Sequence, residues 1–183
     1  MNELNNFSLI SRLFGNLYYR RPTDEILVGV FGWLQQGNLR QVWALEEDSA
    51  SQNALEALQM PLDLTLLAQE YDKLFGEKGK ISPKISDYGI NVVEFAAFRL
   101  ERGMPETADL DHFAHLLLTA SWLEDNVDSA VAQQQLFAQF LLPCAAQFLR
   151  QVEEKASLPF YRSLALLTHE LLSATADELE ESE

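Results

Sequence analysis

The chain has 183 residues, 48% hydrophobic and 22% charged, and its 13 Lys and Arg against 28 Asp and Glu leave a formal charge of −15. Such a length is the usual size of one domain and supports a core that needs no staples. The shortage of cations argues against a nucleic-acid partner, whose affinity rests on phosphate neutralisation, and against docking on an anionic membrane surface.

Cys144 is the single cysteine, so no internal disulfide framework or cysteine-rich zinc site can form, and the composition suits a reducing, cytoplasmic compartment. The opening residues Met1–Asn6 lack the basic and apolar regions of a signal peptide, and no apolar run approaches the ~18 residues of a spanning helix.

The periodicity is helical nearly throughout. Leu9, Ile10, Leu13, Phe14 and Leu17 form the first apolar stripe, which ends at Arg20-Arg21-Pro22. Thr23-Asp24-Glu25 supplies a cap for a second helix carrying Ile26, Leu27, Val30, Phe31 and Leu34, closed at Gly37-Asn38. A third, more polar helical segment falls near 48–60. From Pro61, taken as a first-turn proline, Leu64, Leu67, Ala68, Tyr71, Leu74 and Phe75 share one face.

Residues 76–89 combine three glycines and a proline without a helical period, and predict a long loop that can act as a hinge. Val92, Val93, Phe95, Ala96 and Leu100 predict the face of the next helix, stopped by Arg102-Gly103 and Pro105. Another begins with Leu110, Phe113, Ala114, Leu117 and Leu118 and runs to about Glu124. Two long helices follow, 130–154 with a kink or break at Pro143, and 157–179. The last seven residues hold five acids, which favours fraying. These elements predict an all-α, single-domain bundle of about seven to nine helices: an N-terminal region over residues 1–75, a hinge loop over 76–89, a C-terminal region over 90–176 and an acidic tail over 177–183.

Candidate chemistry concentrates in Asp109-Leu110-Asp111-His112-Phe113-Ala114-His115. On a helix, spacings of three and four bring such side chains onto one face. Capping of a helix start by Asp109 and Asp111, contact with a peptide or small ligand, and a metal site are the three readings open to them. Gly76-Glu77-Lys78-Gly79-Lys80 lacks the glycine spacing of a phosphate loop and follows a helix rather than a strand. Cys144 beside Pro143 on an apolar face suits a buried thiol. Tyr18, Tyr19, Trp33, Trp43 and Trp122 suit either core packing or a recognition groove.

Several segments together resemble the TorD family of cytoplasmic chaperones, the redox-enzyme maturation proteins of the DmsD and NarJ types, and among them the YcdY-like members. Leu13-Phe14-Gly15-Asn16-Leu17-Tyr18-Tyr19-Arg20-Arg21-Pro22 is similar to the family's opening helix, and Glu70-Tyr71-Asp72-Lys73-Leu74-Phe75 to its Tyr-x-x-Leu-Phe helix end. Asp111-His112-Phe113, followed by Leu116-Leu117-Leu118-Thr119-Ala120-Ser121-Trp122-Leu123-Glu124, resembles its Glu-Pro-x-Asp-His motif and leucine-rich helix. Ala108 and Asp109 stand where the motif has Glu and Pro. Ser82-Pro83-Lys84-Ile85-Ser86 keeps one proline and the serine of the family's Pro-Pro-Tyr-x-Ser loop. Phe140-Leu141-Leu142-Pro143 and Leu158-Pro159-Phe160-Tyr161-Arg162 are similar to its paired C-terminal helices.

The resemblance implies a chaperone without catalysis or cofactor. It would bind a client redox enzyme, commonly a molybdoenzyme, or that client's twin-arginine leader, and assist maturation and cofactor insertion before export. Asp111 and His112 would line the client groove, with Tyr71, Phe75, Pro83, Ser86 and Tyr88 contributing from the hinge side. The family allows monomers and dimers that exchange helices across the hinge. An alternative within the resemblance is a YcdY-like chaperone that aids metal loading of a cytosolic metal-dependent phosphoesterase.

Overall fold

The computed structural model describes residues 6–45 and 48–181, so the residues Met1–Asn5 of the opening segment and the last two of the acidic tail lie outside the described residues. Among the described residues there are α-helices, short turns of other helical types and no strand, the all-α bundle expected from the periodicity.

α1 (Asn6–Tyr19) buries Ile10, Phe14, Leu17 and Tyr18 and lies along α7 (Phe113–Asn126). The two come close because of Gly15: a Cβ there would stand 2.9 Å from Leu118 Cδ2 and 3.3 Å from the Ala114 carbonyl oxygen. Asp24 accepts from the Ile26 amide and starts a 3₁₀ turn, Glu25–Leu27, that leads into α2 (Val28–Gln35). Gly37, at φ 80°, reverses the chain into α3 (Asn38–Val42).

The third, polar segment is a full helix, α4 (Ser49–Gln59), capped by Asp48. It packs on α10 (Pro159–Glu181), and Ser51 Oγ donates to Glu170 across that contact. α5 (Leu64–Phe75) starts later than Pro61, because Asp63 is the cap and accepts from the amides of Thr65 and Leu66. The stronger side-chain cap sets the start, and Pro61 precedes it outside the helix.

α6 (Val92–Glu101) is capped by Asn91 and buries Phe95, Phe98 and Arg99. Its inward face is rotated from the stripe expected: Val93 and Leu100 are 78% and 51% exposed. Phe95 and Phe98 both pack on Phe140, and these two rings select the inward face. The helix ends in a Schellman turn, with the Gly103 amide donating to Leu100 O at 3.0 Å and the Met104 amide to Arg99 O at 3.1 Å, Gly103 taking φ 89°.

α8 (Ala130–Leu136) and α9 (Leu142–Lys155) are one continuous helical run through a π-helical segment, Phe137–Leu141. Pro143 therefore causes neither a break nor the loss of a turn. The wider loop upstream makes room for a ring that would otherwise press on the preceding carbonyls, and the Leu142 amide is satisfied by Phe137 O. The last helix, α10, also departs from expectation: it stays helical to Glu181 rather than fraying at 177, because Leu179 packs on the core and its carbonyl accepts from Gln134 Nε2 at 2.8 Å.

An aromatic cluster sits at the centre. Phe148 of α9 stacks on Phe113 at 4.3 Å and on Phe75 at 5.7 Å between centroids, and meets Tyr18 edge-on at 5.6 Å. Edge and offset contacts of this kind are each worth about 0.5–1.5 kcal/mol beyond burial. They join α1, α5, α7 and α9, so segments before and after residues 76–89 share one core. Tyr18 and Trp43 are core aromatics, whereas Trp33 and Trp122 are half-buried. Cys144 is buried, and burial pushes its thiol up to about 12, as a structural thiol requires.

Candidate functional site

The segment after α5 is longer than most connections, yet it is fastened at many points. The Lys80 and Ile81 amides donate back to Lys73 O and Leu74 O, and Ile81, Ile85 and Ile90 are buried. Residues Ile85–Tyr88 form a 3₁₀ turn closed by Gly89 at φ 83°. Tyr88 Oη donates to Ser82 O at 2.7 Å, accepts from Gln151 Nε2 at 3.0 Å, and its ring meets Phe148 edge-on.

This strap is fixed to the N-terminus of α7. Asp111 receives both donors of Ser86: the amide at 2.9 Å on Oδ1 and Oγ at 2.5 Å on Oδ2. The Phe113 amide donates to Pro83 O at 2.8 Å. The Ala114 amide donates to His112 Nδ1 at 3.0 Å, so the α7 cap is a histidine. Capping of α7 by the aspartates, one of the three readings open from the sequence, is therefore replaced. Asp111 is drawn away to the strap, Asp109 lies in a left-handed turn at φ 55°, and the amides of α7 that they would have served are taken by Pro83 O and by His112.

Nor do Asp109, Asp111, His112 and His115 converge through helical spacing, because α7 begins only at Phe113 and the residues before it are not on a helix. Among the described residues, no group of three His, Cys, Asp or Glu side chains gathers as a metal site. His112 is largely shielded, with Tyr19 edge-on to both His112 at 5.2 Å and His115 at 5.4 Å. Desolvation, then the neighbouring His115, pushes His112 down to about 4, against weaker opposition from Asp111 and Asp109. It is neutral at pH 7, as an acceptor cap must be, with Nδ1 free of its proton.

Of the seven candidate residues, Pro83, Ser86, Asp111 and His112 meet at the joint between strap and α7, and Tyr88 anchors the strap to α9. Tyr71 and Phe75 are elsewhere. They are 8% and 6% exposed, inside the aromatic cluster, and Tyr71 Oη donates to Tyr18 O and Tyr19 O, the closing carbonyls of α1. Sequence reasoning missed the partner of Asp111, since Ser86 lies 25 residues away and only the closed strap brings them together. Both carboxylate oxygens of Asp111 retain acceptor capacity beyond these bonds, so an incoming guanidinium can still be held there.

Comparison with known proteins gives three informative relatives. An uncharacterized protein of Haemophilus influenzae is 64% identical over 179 residues, covering 98% of this chain and 97% of its own length. The chaperone protein YcdY of Escherichia coli is 41% identical over 184 residues, covering 97% of this chain and 98% of its own. A probable Tat proofreading chaperone DmsD of Haemophilus influenzae is 25% identical over 189 residues, covering 91% and 88%. No family model matches the chain.

Proposed function

The chain belongs to the TorD/DmsD family of chaperones, beside its YcdY-like members, and from that premise we propose that it is a cytoplasmic chaperone for a redox enzyme, binding the client or its twin-arginine leader during maturation. The observation that carries this reading is the joint of Pro83, Ser86, Asp111 and His112, which puts a carboxylate with spare acceptor capacity at the surface of a chain charged −15. A twin-arginine leader is basic at one end and apolar beyond. Charge brings the first part in and fixes its register, while apolar contact supplies the larger share of affinity. No step of chemistry is needed.

The residues proposed to meet the client are Asp111 and His112, with Pro83, Ser86 and Tyr88 supporting them through the strap. Tyr71 and Phe75 would contribute only if the strap opens, and the same opening at 76–89 would let two copies exchange their C-terminal regions. The test is leader affinity of Asp111→Asn and His112→Ala beside Ser86→Ala. Direct contact predicts a loss of about tenfold or more in the first two and a smaller loss in Ser86→Ala, which frees the strap but keeps the charge. Undiminished affinity in folded Asp111→Asn and His112→Ala would remove the site assignment.

The similarity to a relative named as chaperone YcdY, without a Tat role in its name, favours a second reading: a chaperone that aids metal loading of a cytosolic phosphoesterase. Affinity capture in the source organism separates the two, because recovery of a leaderless metalloprotein alone would replace the export reading.

A further inference from the structure

Arg99 is anomalous in so acidic a chain. It sits in the last turn of α6, is 7% exposed, and its Nε has no hydrogen-bond partner. Among the described residues it makes no ion pair, and its guanidinium lies near one aromatic face, 6.0 Å from the Phe95 ring centre. A cation withdrawn from water ordinarily has a carboxylate beside it, since desolvation otherwise goes uncompensated. Burial alone moves its proton affinity, downward, with no acid acting against it. Helix-end carbonyls do not need it either, because the Schellman turn already satisfies Arg99 O and Leu100 O.

Arg99 is one of the residues that line a cavity of about 190 Å³ between α6 and the turn that follows it. Ala96, Leu100, Met104, Pro105 and Leu110 make apolar walls, and Thr107 adds a hydroxyl. Glu106 stands at the rim, exposed, and forms no ion pair with Arg99. On α7, His115 is also buried with an unpartnered Nε2, and burial first, then the nearby Arg99, disfavours its protonation.

We infer that this cavity is a binding site for a carboxylate on a short aliphatic stem, received by the Arg99 guanidinium at its base, with the stem along Ala96, Leu100, Met104 and Leu110. A planar fork of N–H donors matches a carboxylate in two parallel bonds. The dianion of a phosphate fits worse, with one cation, apolar walls and Glu106 at the mouth. The volume is below the ~300–1,000 Å³ of sites that hold whole small molecules, so the occupant is a short-chain acid or a single Glu or Asp side chain of a protein. The inference does not depend on the chaperone reading, since it concerns the isolated chain.

The test exchanges sodium chloride for sodium butyrate at constant ionic strength and follows the Arg99 Nε–H resonance and the melting temperature. Wild type is expected to show a saturable shift of that resonance and a rise of melting temperature with ligand, as binding to the folded state alone requires. Butanol should give neither. Arg99→Met should keep the fold and bind at least tenfold more weakly, and Ala96→Leu, which narrows the cavity while leaving the Arg99 cation in place, should bind comparably weakly. A blocked pentapeptide with a central Glu, compared with its Gln counterpart, distinguishes the sources: selective binding of the Glu peptide identifies a protein side chain, and binding of butyrate alone identifies a free acid. The inference is overturned if wild type responds to neither butyrate nor the Glu peptide, or if Arg99→Met and Ala96→Leu respond as strongly as wild type.

Discussion

His112 makes the stability of the fold depend on pH in a calculable way. Its Nδ1 must be unprotonated to accept the Ala114 amide, and desolvation together with His115 pushes it from 6.5 down to about 4. A folded state that binds a proton less readily than the unfolded chain loses stability as pH falls below the unfolded value. The contribution is therefore intact above about pH 6.5, declines steadily below it and levels off near 4. Applying the linkage relation to those two values gives a loss of about 2 kcal/mol between pH 7 and pH 5 from this residue. His115, shifted the same way by burial, adds to it. Glu153, raised by burial, acts oppositely, being easier to protonate when folded.

Urea denaturation at pH 7.0, 6.0 and 5.0 measures the loss, and His112→Asn isolates its source. Asn is a strong N-cap with no titration in this range, so the variant should be near wild type at pH 7 and should lose about 2 kcal/mol less on going to pH 5. Differences between the two proteins cancel the contribution of Glu153 and other acids. Wild-type stability that falls no faster than that of His112→Asn would refute a neutral, desolvated cap.

Other substitutions probe the joints of the bundle. Tyr71→Phe should cost about 1–2 kcal/mol, because Tyr18 O and Tyr19 O lose their donor, and should lower the melting temperature by roughly 3–6 °C in a calorimetric scan. Gly15→Val should cost about 1–3 kcal/mol by driving α1 off α7, read as a lower urea midpoint at unchanged slope, whereas Gly29→Ala, where nothing lies near the added carbon, should be neutral or slightly stabilising. Ser86→Ala should speed hydrogen exchange of amides in the 3₁₀ turn Ile85–Tyr88 while leaving those of α1 and α10 as they were.

The strap shows why a site is harder to read than a helix. Its glycines and proline mark 76–89 as irregular, but nothing in that stretch says that Ser86 will meet Asp111 or that Pro83 O will serve the Phe113 amide. Family resemblance singles out Asp111 and His112, and spacing suggests that the aspartates would cap. A cap competes with every other acceptor and donor within reach, and here Ser86 holds Asp111 while His112 takes the cap.

The sequence by itself determined the helical class and most helix limits, because periodicity, caps and breakers act within a few residues of one another. Even some local readings needed the tertiary structure. α6 carries apolar residues on two faces, and only Phe140, contributed by a distant segment, decided that Phe95 and Phe98 turn inward while Val93 and Leu100 face water. Pro143 predicts a disturbance, but packing on both sides kept the helix continuous and confined the disturbance to one π-helical segment. The joint at Asp111, the unpaired cation at Arg99 and the helical tail through Leu179 were decided by contacts between residues far apart in the chain, which no local pattern encodes.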